Sequence, residues 1–292
     1  MSDIYKNCLI VLRAAGERTE DAAHWLLSQD VGTENVHKVK AGPLSKTFRR
    51  SAEIAIDSGN KWAVFVDADV LIHSNSLKSL IAFGKKQKQN TFSTTAKVYD
   101  RFFCRIRRAG VRIYKTELLG KFLNENSGVF SDVRPDSNAS IQMGEKGYLT
   151  INSDCVIGLH DFEQAYYDIF RKSYMHAHKH RHHIGTLIDL WNDLGEKDLD
   201  FQVAIWGVAA ALLYPKSSLA GAREVPMEVF KEKISSFEEK KDLKCGPWLE
   251  TFVQSVFDKD VKAEMLRNSN TGRIKRLLNR LRKTEPIRQS IL

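Results

Sequence analysis

The chain has 292 residues, 42% of them hydrophobic and 28% charged, with a formal net charge of +9. This composition excludes a disordered or membrane-embedded chain, and the length suits one large domain or a domain with an appendage. The basic balance favours an anionic partner, such as a nucleotide, anionic glycan, phospholipid surface or nucleic acid, without choosing among them.

Cys8, Cys104, Cys155 and Cys245 are scattered, with no Cys-x-x-Cys pair. That argues against a structural zinc site or disulfide framework and for a reducing compartment. The start of the chain, with Asp3 and Lys6, does not read as a secretory signal, so a cytoplasmic location is expected.

In chain order, 8–12 (CLIVL) reads as a buried strand ending at Arg13. Residues 17–28 have helical spacing, with Ala22, Ala23, Leu26 and Leu27 on one face, and 35–40 is a weak strand. Ser45 is expected to cap a helix running to Ile56. Residues 62–66 (WAVFV) form an apolar strand that ends in Asp67 and Asp69, two carboxylates one residue apart. A helix over 75–88 and a strand over 90–98 follow. This β-α-β-α-β-α-β order implies a largely parallel sheet.

The stretch 100–123 mixes Arg101, Arg105, Arg107, Arg108, Arg112 and Lys115 with aromatic and aliphatic residues, and 124–147 reads as polar loops around Pro135. Two short strands are expected at 148–151 and 155–159, then helices over 162–183 and 197–214. The apolar part of the last, 201–214, is too short to span a bilayer and reads as a buried helix. On the helix over 162–183, His176, His180 and His183 share a face, which suits a basic surface, a transition-metal site or a solvated face. Pro215, Gly221 and Pro226 mark a break, giving expected units 1–215 and 216–292, the second charged and helical. Within it, 272–283 runs from Gly272 to Lys283 as a basic amphipathic helix suited to an anionic membrane surface or a partner groove.

Open α/β sheets bind ligands beyond the carboxyl ends of their strands. Asp67 and Asp69 lie there and repel each other unless a cation neutralises them. A divalent metal carrying a phosphorylated ligand meets that need, because hard cations prefer oxygen.

The Asp-x-Asp after a β-α-β-α-β start, with the loop 13–18 (RAAGER) after the first strand, resembles the GT-A fold of nucleotide-sugar glycosyltransferases, family 2-like or related. The match covers roughly 5–165. It implies an α/β, Rossmann-like, mostly parallel sheet flanked by helices, with a helical C-terminal extension. It further implies transfer of a sugar from a UDP- or GDP-sugar to a glycan or lipid-linked glycan, as in surface polysaccharide synthesis. By resemblance, Asp67 and Asp69 hold Mn2+ or Mg2+ on the donor diphosphate, with Asp67 nearer the ribose and His160, after the strand 155–159, as third ligand. Arg13, Lys46 and Arg49 are candidate diphosphate contacts, each at a strand end or helix start. An inverting enzyme needs a carboxylate base, and Asp161 is the first candidate, with Asp154 and Glu163 behind it.

No nucleic-acid motif accompanies the arginines at 101–115, which in this reading meet an anionic acceptor. Two other readings compete. One is a haloacid-dehalogenase-type phosphohydrolase with Asp67 as nucleophile and Asp69 as acid/base, although Leu71 departs from the Thr or Val of that motif. The other is a non-enzymatic basic membrane or nucleic-acid adaptor.

Overall fold

The computed structural model describes residues 3–125, 134–179, 181–214, 225–235 and 237–267. Its strands are β1 (Cys8–Ala14), β2 (Val36–Lys40), β3 (Trp62–Asp67), β4 (Val70–Ile72), β5 (Thr91–Asp100), β6 (Arg105–Arg107), β7 (Val111–Lys115) and β8 (Leu149–His160). Its helices are α1 (Glu20–Val31), α2 (Leu44–Asp57), α3 (Ser76–Lys85), α4 (Thr116–Glu125) and α5 (Pro135–Glu145) in the first half. They continue as α6 (Tyr166–Lys179), α7 (Ile184–Gly195), α8 (Leu199–Leu213), α9 (Met227–Ile234) and α10 (Pro247–Val256).

The strands form one sheet in the order β2-β1-β3-β7-β5-β8-β4, with β6 on β5. β1 pairs in parallel with β2 and β3, and β5 with β8, while β7 runs antiparallel between β3 and β5. Five of the eight described strands run the same way and three, β4, β6 and β7, run against them, in a mixed sheet flanked by helices, which is the α/β class read from the sequence.

Alternate residues of β1 and β3 face opposite layers, as strand geometry requires. Ile10, Leu12, Val64 and Val66 pack with Leu27 of α1 and Leu77, Leu80 and Ile81 of α3. Leu9, Val11, Ala63 and Phe65 pack with Phe48 of α2, Phe122 of α4 and Met143 of α5. Burial on both faces is why these strands read as continuous apolar runs. A third cluster joins α6, α7 and α8 around Phe170, Tyr174, Trp191 and Val208.

Several expectations are corrected. Ser45 is not the cap of α2: Pro43 precedes the helix, its carbonyl accepts from Lys46 N at 2.9 Å and Thr47 N at 3.2 Å, and Ser45 lies buried in the first turn. The polar stretch after 124 contains α5, which buries Ala139 and Met143 at helical spacing behind a polar face. The two strands expected at 148–159 are one, β8, continuous through Asn152, Ser153 and Asp154. Those polar residues are accommodated because β5 offers polar partners: Thr95 donates to Asn152 Oδ1 at 2.9 Å, and Ser153 donates to the Thr95 carbonyl at 2.7 Å. The helix expected over 162–183 begins only at Tyr166, after a turn in which Asp161 and Glu163 have positive φ. α7, unassigned from the sequence, follows it. Of the apolar stretch 201–214, Leu212, Leu213 and Tyr214 are exposed.

The break expected at 215–216, His180 and the segment 272–283 lie outside the described residues. Among the described residues no helix is long and apolar enough to cross a membrane.

Candidate functional site

β1, β3, β5 and β8 all point the same way, so Ala14, Asp67, Asp100 and His160 end at one edge of the sheet. Two groups of charged side chains form there.

The first centres on Arg13, which lies within β1 opposite Asp67 and is 6% exposed. Its Nε and Nη2 meet Asp67 Oδ1 at 2.8 and 2.7 Å. Its Nη1 donates to both carboxylate oxygens of Asp136, on α5, at 2.9 Å. Tyr114 also donates to Asp136, at 2.6 Å. Burial alone would raise Asp136, but Arg13 and Arg112 outweigh it and hold the carboxyl below its ordinary value. Asp67 goes the other way: burial pushes it up to about 7 against the pull of Arg13, with Asp69 and Asp136 adding to the rise.

The second group centres on His160. The turn at Ala68 and Asp69 is pinned by Ala68 N donating to the Arg13 carbonyl and Thr19 donating to the Ala68 carbonyl, at 2.8 and 2.7 Å. β4 then runs antiparallel to β8, with Val70 opposite His160. Asp161 N donates to the Asp69 carbonyl at 3.0 Å, which locks the two acids side by side. Gly158 allows this pairing, since a Cβ there would sit 2.5 Å from the Leu71 carbonyl oxygen.

His160 Nδ1 lies 2.8 Å from Asp100 Oδ2 and 3.0 Å from Asp161 Oδ2. Asp100 is fully buried and also accepts from Arg107 Nε at 2.6 Å. His160 Nε2 therefore faces Asp69, 3.7 Å from Oδ1, a buried oxygen with no hydrogen-bond partner. Lys172, on α6, donates to Asp69 Oδ2 at 2.7 Å and to Asp161 Oδ1. Burial opposes the charge on His160, but Asp161, Asp69 and Asp100 more than offset it and raise the imidazole to about 10. The same partnership works on Asp161: His160 and Lys172 overcome burial and hold it far below the carboxylate range.

Asp69, His160 and Asp161 each offer a ligand atom, all within 4.8 Å of one another. The donor set of two carboxylates and an imidazole suits Mn2+. Two ligand atoms on one cation at about 2.1 Å lie about 3 to 4 Å apart, so the 3.7 Å between Asp69 Oδ1 and His160 Nε2 fits such an ion. The orphaned Asp69 Oδ1 is the atom such an ion would satisfy.

Of the residues singled out from the sequence, Asp67, Asp69, His160, Asp161 and Arg13 come together around one cavity of about 290 Å3. Asp67 faces Arg13 and stands outside the cluster of possible ligands, whereas Asp161 joins it. Lys46 is exposed on α2 and Arg49 half-buried, and that helix reaches the cavity through Leu44 and Thr47 instead. Asp154 is exposed and pairs with Lys97 at 2.6 Å, and Glu163 pairs with Arg18 at 3.0 Å. Asp100, Asp136 and Lys172 went unnoticed in the sequence. Asp100 follows a strand as Asp67 does, a signal that was present. Asp136 and Lys172 sit on helices, with nothing local to mark them.

No protein-family model matches the sequence, and no curated protein matches it. Solved structures resemble the fold loosely. A mannosyltransferase from Pyrobaculum calidifontis, solved with GDP-Man and Mn2+, is 10% identical, with 79% of this chain and 81% of that one covered at a TM-score of 0.39. A glycosyltransferase involved in glycosylation of the major capsid of PBCV-1 is 15% identical, with 52% and 94% covered at a TM-score of 0.36. The CMP:2-keto-3-deoxy-manno-octonic acid synthetase complexed with CTP is 8% identical, with 51% and 90% covered at a TM-score of 0.37. The structures it resembles in this loose way include glycosyltransferases and nucleotidyltransferases. At these identities and TM-scores no residue role transfers from them.

Proposed function

We propose that this chain transfers a glycosyl group from a nucleotide-sugar donor to a glycan or lipid-linked glycan acceptor, as in surface polysaccharide synthesis, using Mn2+ or Mg2+. The observation that carries the reading is the buried, unpartnered Asp69 Oδ1 facing His160 Nε2 at the carboxyl edge of the sheet.

In this reading Asp69, His160 and Asp161 hold the cation. When bound, the cation supplies positive charge to the diphosphate that leaves the anomeric carbon. The remaining work belongs to the chain. Asp100 holds His160 Nδ1, which keeps Nε2 turned towards the cleft, the arrangement that orients a metal-binding imidazole. Lys172 adds a second positive charge beside Asp69 and Asp161. Asp67, oriented by Arg13, contacts the donor ribose. Arg13 meets the diphosphate only from behind that carboxylate, because its own donors are engaged by Asp67 and Asp136. Asp161 serves as a ligand rather than a proton acceptor, since a carboxylate paired with both Lys172 and His160 has little affinity for a proton. Residues 1–215 carry the chemistry, and 216–292 form the extension.

The test is Mn2+ titration followed by calorimetry, with thermal unfolding in UDP or GDP, on the wild type and on Asp69→Asn. The wild type binds Mn2+, and one nucleotide at a hundred times its Kd adds about 2.7 kcal/mol of stability only when metal is present. Asp69→Asn loses both effects. No binding of metal or nucleotide by the wild type sinks the reading. Hydrolysis of a phosphomonoester, lost in Asp67→Asn, would replace it with the phosphohydrolase.

A further inference from the structure

Four carboxylates line the cavity that holds the candidate ligands: Glu17, Asp67, Asp69 and Asp161. Three have partners that fix their use. Asp69 and Asp161 share Lys172 and belong to the group of possible ligands. Asp67 takes both Arg13 nitrogens on Oδ1 and, in the glycosyl-transfer reading, meets the donor ribose. Glu17 stands outside the ligand group and makes no ion pair with a described residue; its carboxylate bonds only to a backbone N–H.

We infer that Glu17 is the catalytic base, taking the proton from the acceptor hydroxyl in a transfer that inverts the anomeric configuration. This rests on the glycosyl-transfer reading and names the proton acceptor that the site otherwise lacks, since Asp161 is held as a ligand.

The loop after β1 is shaped to present this carboxylate. Gly16 has φ +95°, a conformation open to glycine, and the chain turns there so that Glu17 Oε2 accepts from Ala15 N at 2.6 Å. That bond uses one oxygen and leaves Oε1 for a substrate hydroxyl. The next two residues tie the loop to both ligand-bearing turns. Arg18 donates to the Glu163 carbonyl at 2.9 Å and pairs with the Glu163 carboxylate at 3.0 Å. Thr19 donates to the Ala68 carbonyl at 2.7 Å and accepts from Gln164 Nε2 at 3.1 Å. Glu17 thus precedes two anchors, one on the turn of Asp69 and one on the turn after Asp161. Burial raises its carboxyl above the ordinary value against the Ala15 hydrogen bond; Asp69 adds to the rise, and Lys172, bonded to Asp69 and Asp161, opposes it. A carboxylate raised in this way draws a proton more strongly at neutral pH.

The step balances. The acceptor oxygen forms its bond to the anomeric carbon as its proton passes to Glu17. The bond from that carbon to the diphosphate oxygen breaks, and its electron pair leaves with the nucleoside diphosphate. Glu17 then returns the proton to water.

The test gives the full chain Mn2+ with UDP-glucose, UDP-N-acetylglucosamine or GDP-mannose, and water as the acceptor. The wild type releases nucleoside diphosphate, and NMR shows the inverted sugar as first product. Glu17→Gln keeps an oxygen for Ala15 N, so it binds Mn2+ and UDP or GDP as the wild type does in calorimetry, while turnover falls about 100-fold or more. In Glu17→Ala, azide, a nucleophile with no proton to lose, restores release and yields the inverted glycosyl azide. Wild-type turnover in Glu17→Gln overturns the proposal, as does a first product of retained configuration or a failure of azide to restore release. Loss of metal or nucleotide binding in Glu17→Gln equal to its loss of turnover overturns it too, by making Glu17 a donor contact. So does a wild type that binds metal and nucleotide but releases diphosphate from none of the three donors. A wild type that binds neither metal nor nucleotide removes the glycosyl-transfer reading itself, and the base with it.

Discussion

Arg13 joins two acids from distant parts of the chain, Asp67 and Asp136, inside the protein. Removing one partner of a buried ionic group leaves uncompensated charge, at a cost of about 3–5 kcal/mol. Arg13→Met should show a loss of that size in urea unfolding at neutral pH. A loss under about 1 kcal/mol would mean that the pair behaves as a surface pair. His160 gives a second prediction, for the metal-free protein in EDTA. Its value is raised from the ordinary 6.5 to about 10 in the folded state, so the folded protein holds the proton more tightly than the unfolded chain. The stabilisation is fully present below pH 6.5 and is lost as pH rises to about 10. Unfolding free energy measured across that range should fall, and His160→Gln should flatten the slope. An unchanged slope in the variant would show that His160 is not charged in the fold.

The strands were legible because their residues are buried on both faces, and the acids at their ends stood out as polar residues after apolar runs. Asp67, Asp69 and His160 were found that way. Elements with a mixed surface were harder to read. α5 hides two inward residues, Ala139 and Met143, among polar ones, so Asp136 was invisible as a partner of Arg13. The polar middle of β8 reads as a loop until Thr95 is seen opposite it. The loop before β7 gives a prediction of its own. Gly110→Ala combines a backbone conformation that L side chains rarely adopt with a contact at 2.4 Å to Val70. It should cost about 2–4 kcal/mol in chemical denaturation, more than Gly→Ala at an unstrained site. A loss below about 1 kcal/mol would mean that the loop relaxes away from β4.

The whole chain is held by more than the sheet. Leu249 and Val253 of α10, with Phe257 and Val261 beyond it, pack into one cluster with Ala22 and Leu26 of α1, Leu71 of β4 and Leu159 of β8. The region after 216 was expected as an extension, yet this part of it shares its apolar contacts with β4, which follows Asp69, and with β8, which ends at His160. Leu249 is fully buried, so Leu249→Ala should cost about 2–5 kcal/mol. If 247–261 folds with the sheet, the main thermal transition moves as a single step. A separate early transition, with the main one unmoved, would make the region an independent unit.

One arginine serving two acids also constrains how the sequence can drift. Losing Arg13 strands both carboxylates, while losing Asp67 or Asp136 alone leaves the cation half-matched. Neutral routes therefore pass through linked changes. In an alignment of descendants of this chain, positions 13, 67 and 136 should be substituted together or not at all, even though 123 residues separate the first from the last.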